Sequence, residues 1–179
     1  MASLTPLSYE TKSLLRIRTY GTGSPLVLLH GWGLNSGVWQ SVIERFSQRY
    51  QVITIDLPGY GENVACVPEA YTLAAVCEWV ADKIPANAIL LGWSMGGLIA
   101  QQIAIQNSPS LRALITLSSS PCFQQKKDWL GIKPNVLGTF EQQLAQDYVK
   151  TLNRFMAIQA LGSPEAKSEI VLLKQAISA

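Results

Sequence analysis

Ala88-Ile-Leu-Leu-Gly-Trp-Ser-Met-Gly-Gly-Leu-Ile-Ala-Gln-Gln-Ile-Ala-Ile-Gln106 begins as a short apolar run and ends as a longer helical one. Ala88 to Leu91 has the character of a strand buried on both faces, and Met95 to Gln106 that of a helix. Between them Gly92-Trp93-Ser94-Met95-Gly96 fits the pattern G-x-S-x-G. A strand that passes directly into a helix needs a sharp turn, and side chains two residues before and after the turning residue would collide there. Glycine at 92 and 96 removes that collision, and Gly97 lets the helix pack close. Ser94 is therefore held clear of the sheet, over the positive end of a helix, as a nucleophile requires. The plainer alternative is a glycine-rich turn with an incidental serine.

Outward from this centre, strand and helix patterns alternate. Residues 14–19 alternate like a half-exposed strand, and Gly21 to Pro25 form a turn. Leu26 to Leu29 is a short apolar run, Gln51 to Ile55 a second buried strand, and Leu111 to Leu117 a further strand. Val38 to Phe46 and Tyr71 to Ile84 have helical spacing. This alternation predicts a mostly parallel sheet with helices on both faces. With the Ser94 turn it gives an α/β class with the α/β-hydrolase fold, whose core is expected over residues 1–120.

His30-Gly31-Trp32-Gly33 follows the first buried run. In this fold that loop supplies one backbone N–H to the oxyanion hole and the residue after the nucleophile supplies the other, which assigns Trp32 and Met95. His30 is the one histidine in the sequence. We read its ring as a brace for the loop rather than as a general base. Asp56 sits in a turn and reads as structural.

From Pro121 onward only helical patterns occur, so residues 121–179 are expected to form a helical cap. Thr139 reads as a helix cap with Gln142 in the reciprocal position. Phe140, Leu144, Tyr148, Leu152 and Phe155 then form one apolar stripe, ended by Gly162. Ser163-Pro164-Glu165 starts the next helix. Lys150 and Arg154 lie i, i+4 on the opposite face and should be exposed.

Composition excludes several classes. Residues 1–120 hold seven Lys/Arg and seven Asp/Glu, and residues 121–179 hold seven and five. A net charge of +2 gives no case for nucleic acid or an anionic membrane. The three cysteines lack metal-ligand spacing, so neither a zinc site nor a disulfide framework is expected, and no metal or cofactor is called for. We see neither a signal peptide nor a membrane span, and expect a cytoplasmic location.

The residues also resemble one family in detail. Leu26-Val-Leu-Leu-His-Gly-Trp-Gly-Leu-Asn35, Asp56-Leu-Pro-Gly-Tyr-Gly61, Leu91-Gly-Trp-Ser-Met-Gly-Gly97, Ser118-Ser-Ser-Pro-Cys-Phe123, Asp128-Trp-Leu-Gly-Ile-Lys-Pro134 and Arg154-Phe-Met-Ala-Ile-Gln159 are similar to the carboxylesterases of biotin synthesis. Those enzymes cleave the methyl ester of a pimeloyl-acyl-carrier protein. The resemblance implies Ser94 as the acylated residue, with Trp32 and Met95 at the ester. It implies Phe155, Met156, Ala157, Ile158 and Gln159 as the lining of an acyl channel. It further implies that Lys150, Arg154 and Lys167 hold an acidic carrier protein. An ordinary solvated face remains the alternative for those three. A generic esterase or acyltransferase, or a non-catalytic carrier-binding fragment, are the rival functions.

A serine esterase also needs a histidine and a carboxylate, in the order Ser, Asp or Glu, His. No histidine follows Ser94. Asp128 and Asp147 follow it, but in segments expected at the surface. We therefore expect an incomplete cap, a sheet truncated before its last strands, and little activity from these residues alone.

Overall fold

A computed structural model of the chain describes residues 14–106 and 109–178. Its strands are β1 (Ile17–Tyr20), β2 (Ser24–Leu29), β3 (Tyr50–Ile55), β4 (Ala88–Trp93) and β5 (Leu111–Leu117). They form one sheet in the order β1-β3-β2-β4-β5. Only β1 runs antiparallel, against β3; the other pairs are parallel. The helices are α1 (Gln40–Phe46), α2 (Leu73–Ala81), α3 (Met95–Gln106), α4 (Pro134–Gln146), α5 (Tyr148–Gln159) and α6 (Ala166–Ser178). A single 3-10 turn, Ser36–Trp39, leads into α1, so the helix expected from Val38 starts as a tighter coil.

Each face of the sheet has its own core. On one, Val27, Leu29, Ile53 and Ile55 pack with Val76, Cys77 and Val80 of α2 and Ile99, Ala100 and Ile103 of α3. On the other, Leu26, Leu28 and Val52 pack with Trp39 and Ile43. This explains why Leu26–Leu29 is a continuous apolar run and why β3 is buried from Val52 to Ile55, Thr54 included: both faces are covered. Complete burial of a side chain such as Leu28 or Ile55 is worth about 1.5–3 kcal/mol.

The C-terminal helices depart from the expected pattern in three places. Helix α4 starts at Pro134, where a fixed φ suits the first turn. Thr139 is therefore mid-helix, not a cap, and its hydroxyl donates to Asn135 O at 2.9 Å. The apolar stripe is also split between two helices. Asp147 adopts an extended backbone, ends α4 and caps α5, its Oδ1 accepting from Lys150 N–H at 3.0 Å. Tyr148 consequently leaves the stripe and is exposed.

Candidate active site

Strands β2 and β4 are neighbours, with Leu29 in register with Gly92. That pairing brings the loop after β2 and the turn after β4 to the same end of the sheet. Ser94 there has φ +54, a left-handed backbone that costs a non-glycine residue about 1–2 kcal/mol. Its neighbours show why glycine is required. A Cβ on Gly92 would collide with the Gly96 carbonyl, and one on Gly96 would lie 2.5 Å from His30 O and 2.6 Å from Leu29 O. Ser94 is half-buried, and its hydroxyl meets no hydrogen-bond partner among the described residues.

The oxyanion loop lies directly alongside. A Cβ on Gly31 would be 3.3 Å from Ser94 Cβ. Met95 is the first residue of α3, so its N–H has no acceptor within the helix. Trp32 N–H likewise has no acceptor among the described residues. These two backbone donors belong to the segments that meet at Ser94, the loop beside it and the helix that follows it. The Trp32 ring is gripped edge-on by Phe140 of α4 and Phe155 of α5, each at a centroid distance of 5.1 Å. Leu152 of α5 closes on Gly33, where an added Cβ would be 2.7 Å from its Cδ1. Helices α4 and α5 are therefore docked onto this loop.

His30 is completely buried. Leu57 N–H donates to its Nε2 at 2.9 Å, which makes Nε2 the acceptor and leaves the proton on Nδ1, 2.8 Å from Gly31 O. Burial lowers its pKa to about 4. Both ring nitrogens are occupied, so the ring ties the end of β2 to the turn after β3 and has no lone pair for Ser94. Tyr60 meets the same ring edge-on at 5.3 Å, and burial pushes its phenol well above the usual range. Asp56 is structural too. Its Oδ1 accepts from Ser36 N–H at 2.6 Å and its Oδ2 from Glu62 N–H at 2.9 Å.

Of the five residues Phe155 to Gln159, only Phe155 and Met156 face inward; Ala157, Ile158 and Gln159 are exposed. A helix turning 100° per residue aims consecutive side chains in different directions, and these five are divided between interior and surface. Lys150 and Arg154 are exposed and border a hollow of about 290 Å³ with Gln143, Gln146, Asp147 and Thr151. Lys167 is exposed on a different helix, α6. A larger groove of about 680 Å³ runs between α6 and the Asn35–Val38 segment, but neither Ser94, Trp32 nor Met95 lines it. Among the described residues no group of three His, Cys, Asp or Glu side chains could hold a metal ion. No described helix is long and apolar enough to cross a membrane.

Residues 24–168 match the model of the α/β hydrolase fold family, and the chain belongs to that family. The esterase of Exiguobacterium antarcticum superimposes with a TM-score of 0.78 at 26% identity, covering 92% of this chain and 65% of that one. A hydrolase from Oleispira antarctica gives 0.80 at 18% identity, covering 95% and 66%, which speaks for the fold alone. Sequence relatives are more specific. The pimeloyl-[acyl-carrier protein] methyl ester esterase of Pseudoalteromonas atlantica is 47% identical over 92% of this chain and 64% of its own length. That of Yersinia pestis is 48% identical over 89% and 61%. The chain thus spans under two thirds of these curated relatives.

Proposed function

We propose that this chain provides the nucleophile, the oxyanion loop and the carrier-facing helices of a serine carboxylesterase acting on pimeloyl-acyl-carrier-protein methyl ester. The observation that carries the reading is Ser94, standing on a left-handed turn beside the Gly31 loop, in a chain nearly half identical to esterases of that name. Ser94 Oγ attacks the ester carbonyl, and Trp32 and Met95 N–H hold the resulting oxyanion. Methanol leaves, and water then releases the free acid from the acylated Ser94. Losing one oxyanion donor of this kind costs about 3–4 kcal/mol in the transition state.

The proton of Ser94 must go to a base other than His30, whose Nε2 already accepts from Leu57. The 179 residues hold no second histidine. They should therefore cleave the ester slowly by themselves, through oxyanion stabilisation and binding alone. The exposed Lys150 and Arg154 favour a second contribution, electrostatic capture of an acidic carrier, and the protein would work in the cytoplasm where that carrier is used.

The test is incubation with methyl-pimeloyl carrier protein, with free acid read by intact mass and binding read by titration. The expected outcome is carrier binding that weakens with salt and with Lys150→Glu, and slow ester loss that Ser94→Ala abolishes. Equal ester loss in the Ser94→Ala variant would overturn the catalytic reading. Carrier binding without any ester loss would leave only the carrier-binding role, and preference for p-nitrophenyl acetate would point to a generic esterase.

A further inference from the structure

Ser94 is not the only left-handed non-glycine residue at this end of the sheet: Ser118, just beyond β5, has φ +46. The two are bonded through their neighbours. Ser94 N–H donates to Leu117 O at 2.9 Å, and Ser119 Oγ donates to Ser94 O at 2.7 Å. Both peptide groups flanking the Ser94 α-carbon are thus pinned to the residues on either side of Ser118.

The Ser94 carbonyl also accepts from Gly97 N–H at 3.0 Å and Leu98 N–H at 3.2 Å. Those two belong to the first turn of α3 and would follow the helix wherever it tilted. The Ser119 hydroxyl is the shortest of the three contacts and the one that comes from outside α3, from the segment just after β5. It is held in turn by α3, because Gln101 Nε2 reaches Ser119 Oγ at 3.5 Å while donating to Gly97 O at 3.1 Å. Gly97 leaves the space for it: a Cβ there would be 2.5 Å from both Ser119 Cβ and Oγ. A left-handed residue persists only where its surroundings over-determine it.

From this geometry we infer that Ser119 is a positioning residue for Ser94, locking its carbonyl so that the turn cannot relax and the nucleophile stays over the start of α3. The inference rests on Ser94 being the nucleophile of the proposed esterase. Its test reads the position of that side chain and not ester cleavage, so the two fail separately.

Ser94→Cys provides the reporter. A thiol at a helix N-terminus titrates below its ordinary value of about 8.5, and its alkylation by iodoacetamide needs no general base. Peptide mass separates it from Cys66, Cys77 and Cys122. Adding Ser119→Ala should move the pH profile of alkylation up toward the ordinary thiol value and slow labelling at pH 7 about fivefold. Ser119→Thr, which keeps the hydroxyl, should restore the parent profile. Amide exchange at Ser94, in the Ser119→Ala variant of the otherwise natural chain, should quicken by a similar factor, with amides of β2 unchanged. An unchanged alkylation profile in the Ser119→Ala background would overturn the inference, as would a Thr variant that behaves like Ala.

Discussion

Gly96 shows how closely the two loops are fitted. The carbonyls of Leu29 and His30 occupy the place where its Cβ would go, and neither can move aside by rotating a side chain. Gly96→Ala should therefore cost about 3 kcal/mol or more, read as a lower urea midpoint, whereas an equally stable variant would show that β2 and α3 separate easily. His30 makes a second residue-scale prediction. Its folded pKa of about 4 lies below the ordinary 6.5, so the unfolded chain takes up a proton that the native one refuses. Its contribution is complete above about pH 6.5 and shrinks as the pH falls toward 4, by about 3 kcal/mol in all. Asp56 acts on His30 in the opposite sense, favouring its charged form, so it reduces this loss. Urea melts from pH 7.5 to 4.5 should show a stability gap between the natural chain and His30→Gln that narrows on acidification. A gap independent of pH would assign the titration elsewhere.

At the scale of elements, what was legible in the sequence depended on whether the cause was local. Strands β2 and β4 announced themselves because burial on both faces demands unbroken apolar runs, β3 did so through Val52, Ile53 and Ile55, and the Ser94 turn did so because its steric requirement falls on residues two away. The brace role of His30 was also readable from its place beside Gly31. The split at Asp147 was not, because Phe140, Leu144, Tyr148 and Leu152 keep helical spacing across it. Asn63 was missed altogether. Its side chain accepts from Arg16 N–H at 2.8 Å and donates to Arg16 O at 3.0 Å and Asp56 O at 2.6 Å, and partners 47 residues apart leave no mark in a local pattern. Ser119 and the Phe140 contact with Trp32 were hidden for the same reason. That aromatic cluster carries the element-scale prediction. Phe140 and Phe155 lie 5.9 Å apart and both touch Trp32, so a double-mutant cycle of Phe140→Ala and Phe155→Ala should give a coupling of about 0.5–1.5 kcal/mol. Strict additivity would mean that the two helices grip the loop independently.

Over the whole molecule the sheet is unevenly covered, and its two sides should behave differently in solution. Strands β2 and β3 sit between helices, and their apolar side chains are almost fully buried. In β5, by contrast, Leu114 is 38% exposed, Ile115 45% and Leu117 49%. Successive side chains on a strand point to opposite faces, so both faces of β5 are open, and β5 is also the last strand in the sheet order. A long apolar edge strand with free backbone groups is a template for pairing with another chain. The net charge of +2 offers little repulsion against such pairing. The 179 residues should therefore associate as their concentration rises, seen by sedimentation velocity as a growing fraction above monomer mass. Leu114→Lys with Ile115→Lys places one charge on each face of β5 without touching Ser94 or the buried cores. That variant should remain monomeric to at least tenfold higher concentration, a margin that about 1.4 kcal/mol of lost association energy supplies. If it associates as readily as the natural chain, the contact lies on another surface, and the exposed apolar residues of α6, Val171 and Leu172, become the face to change next.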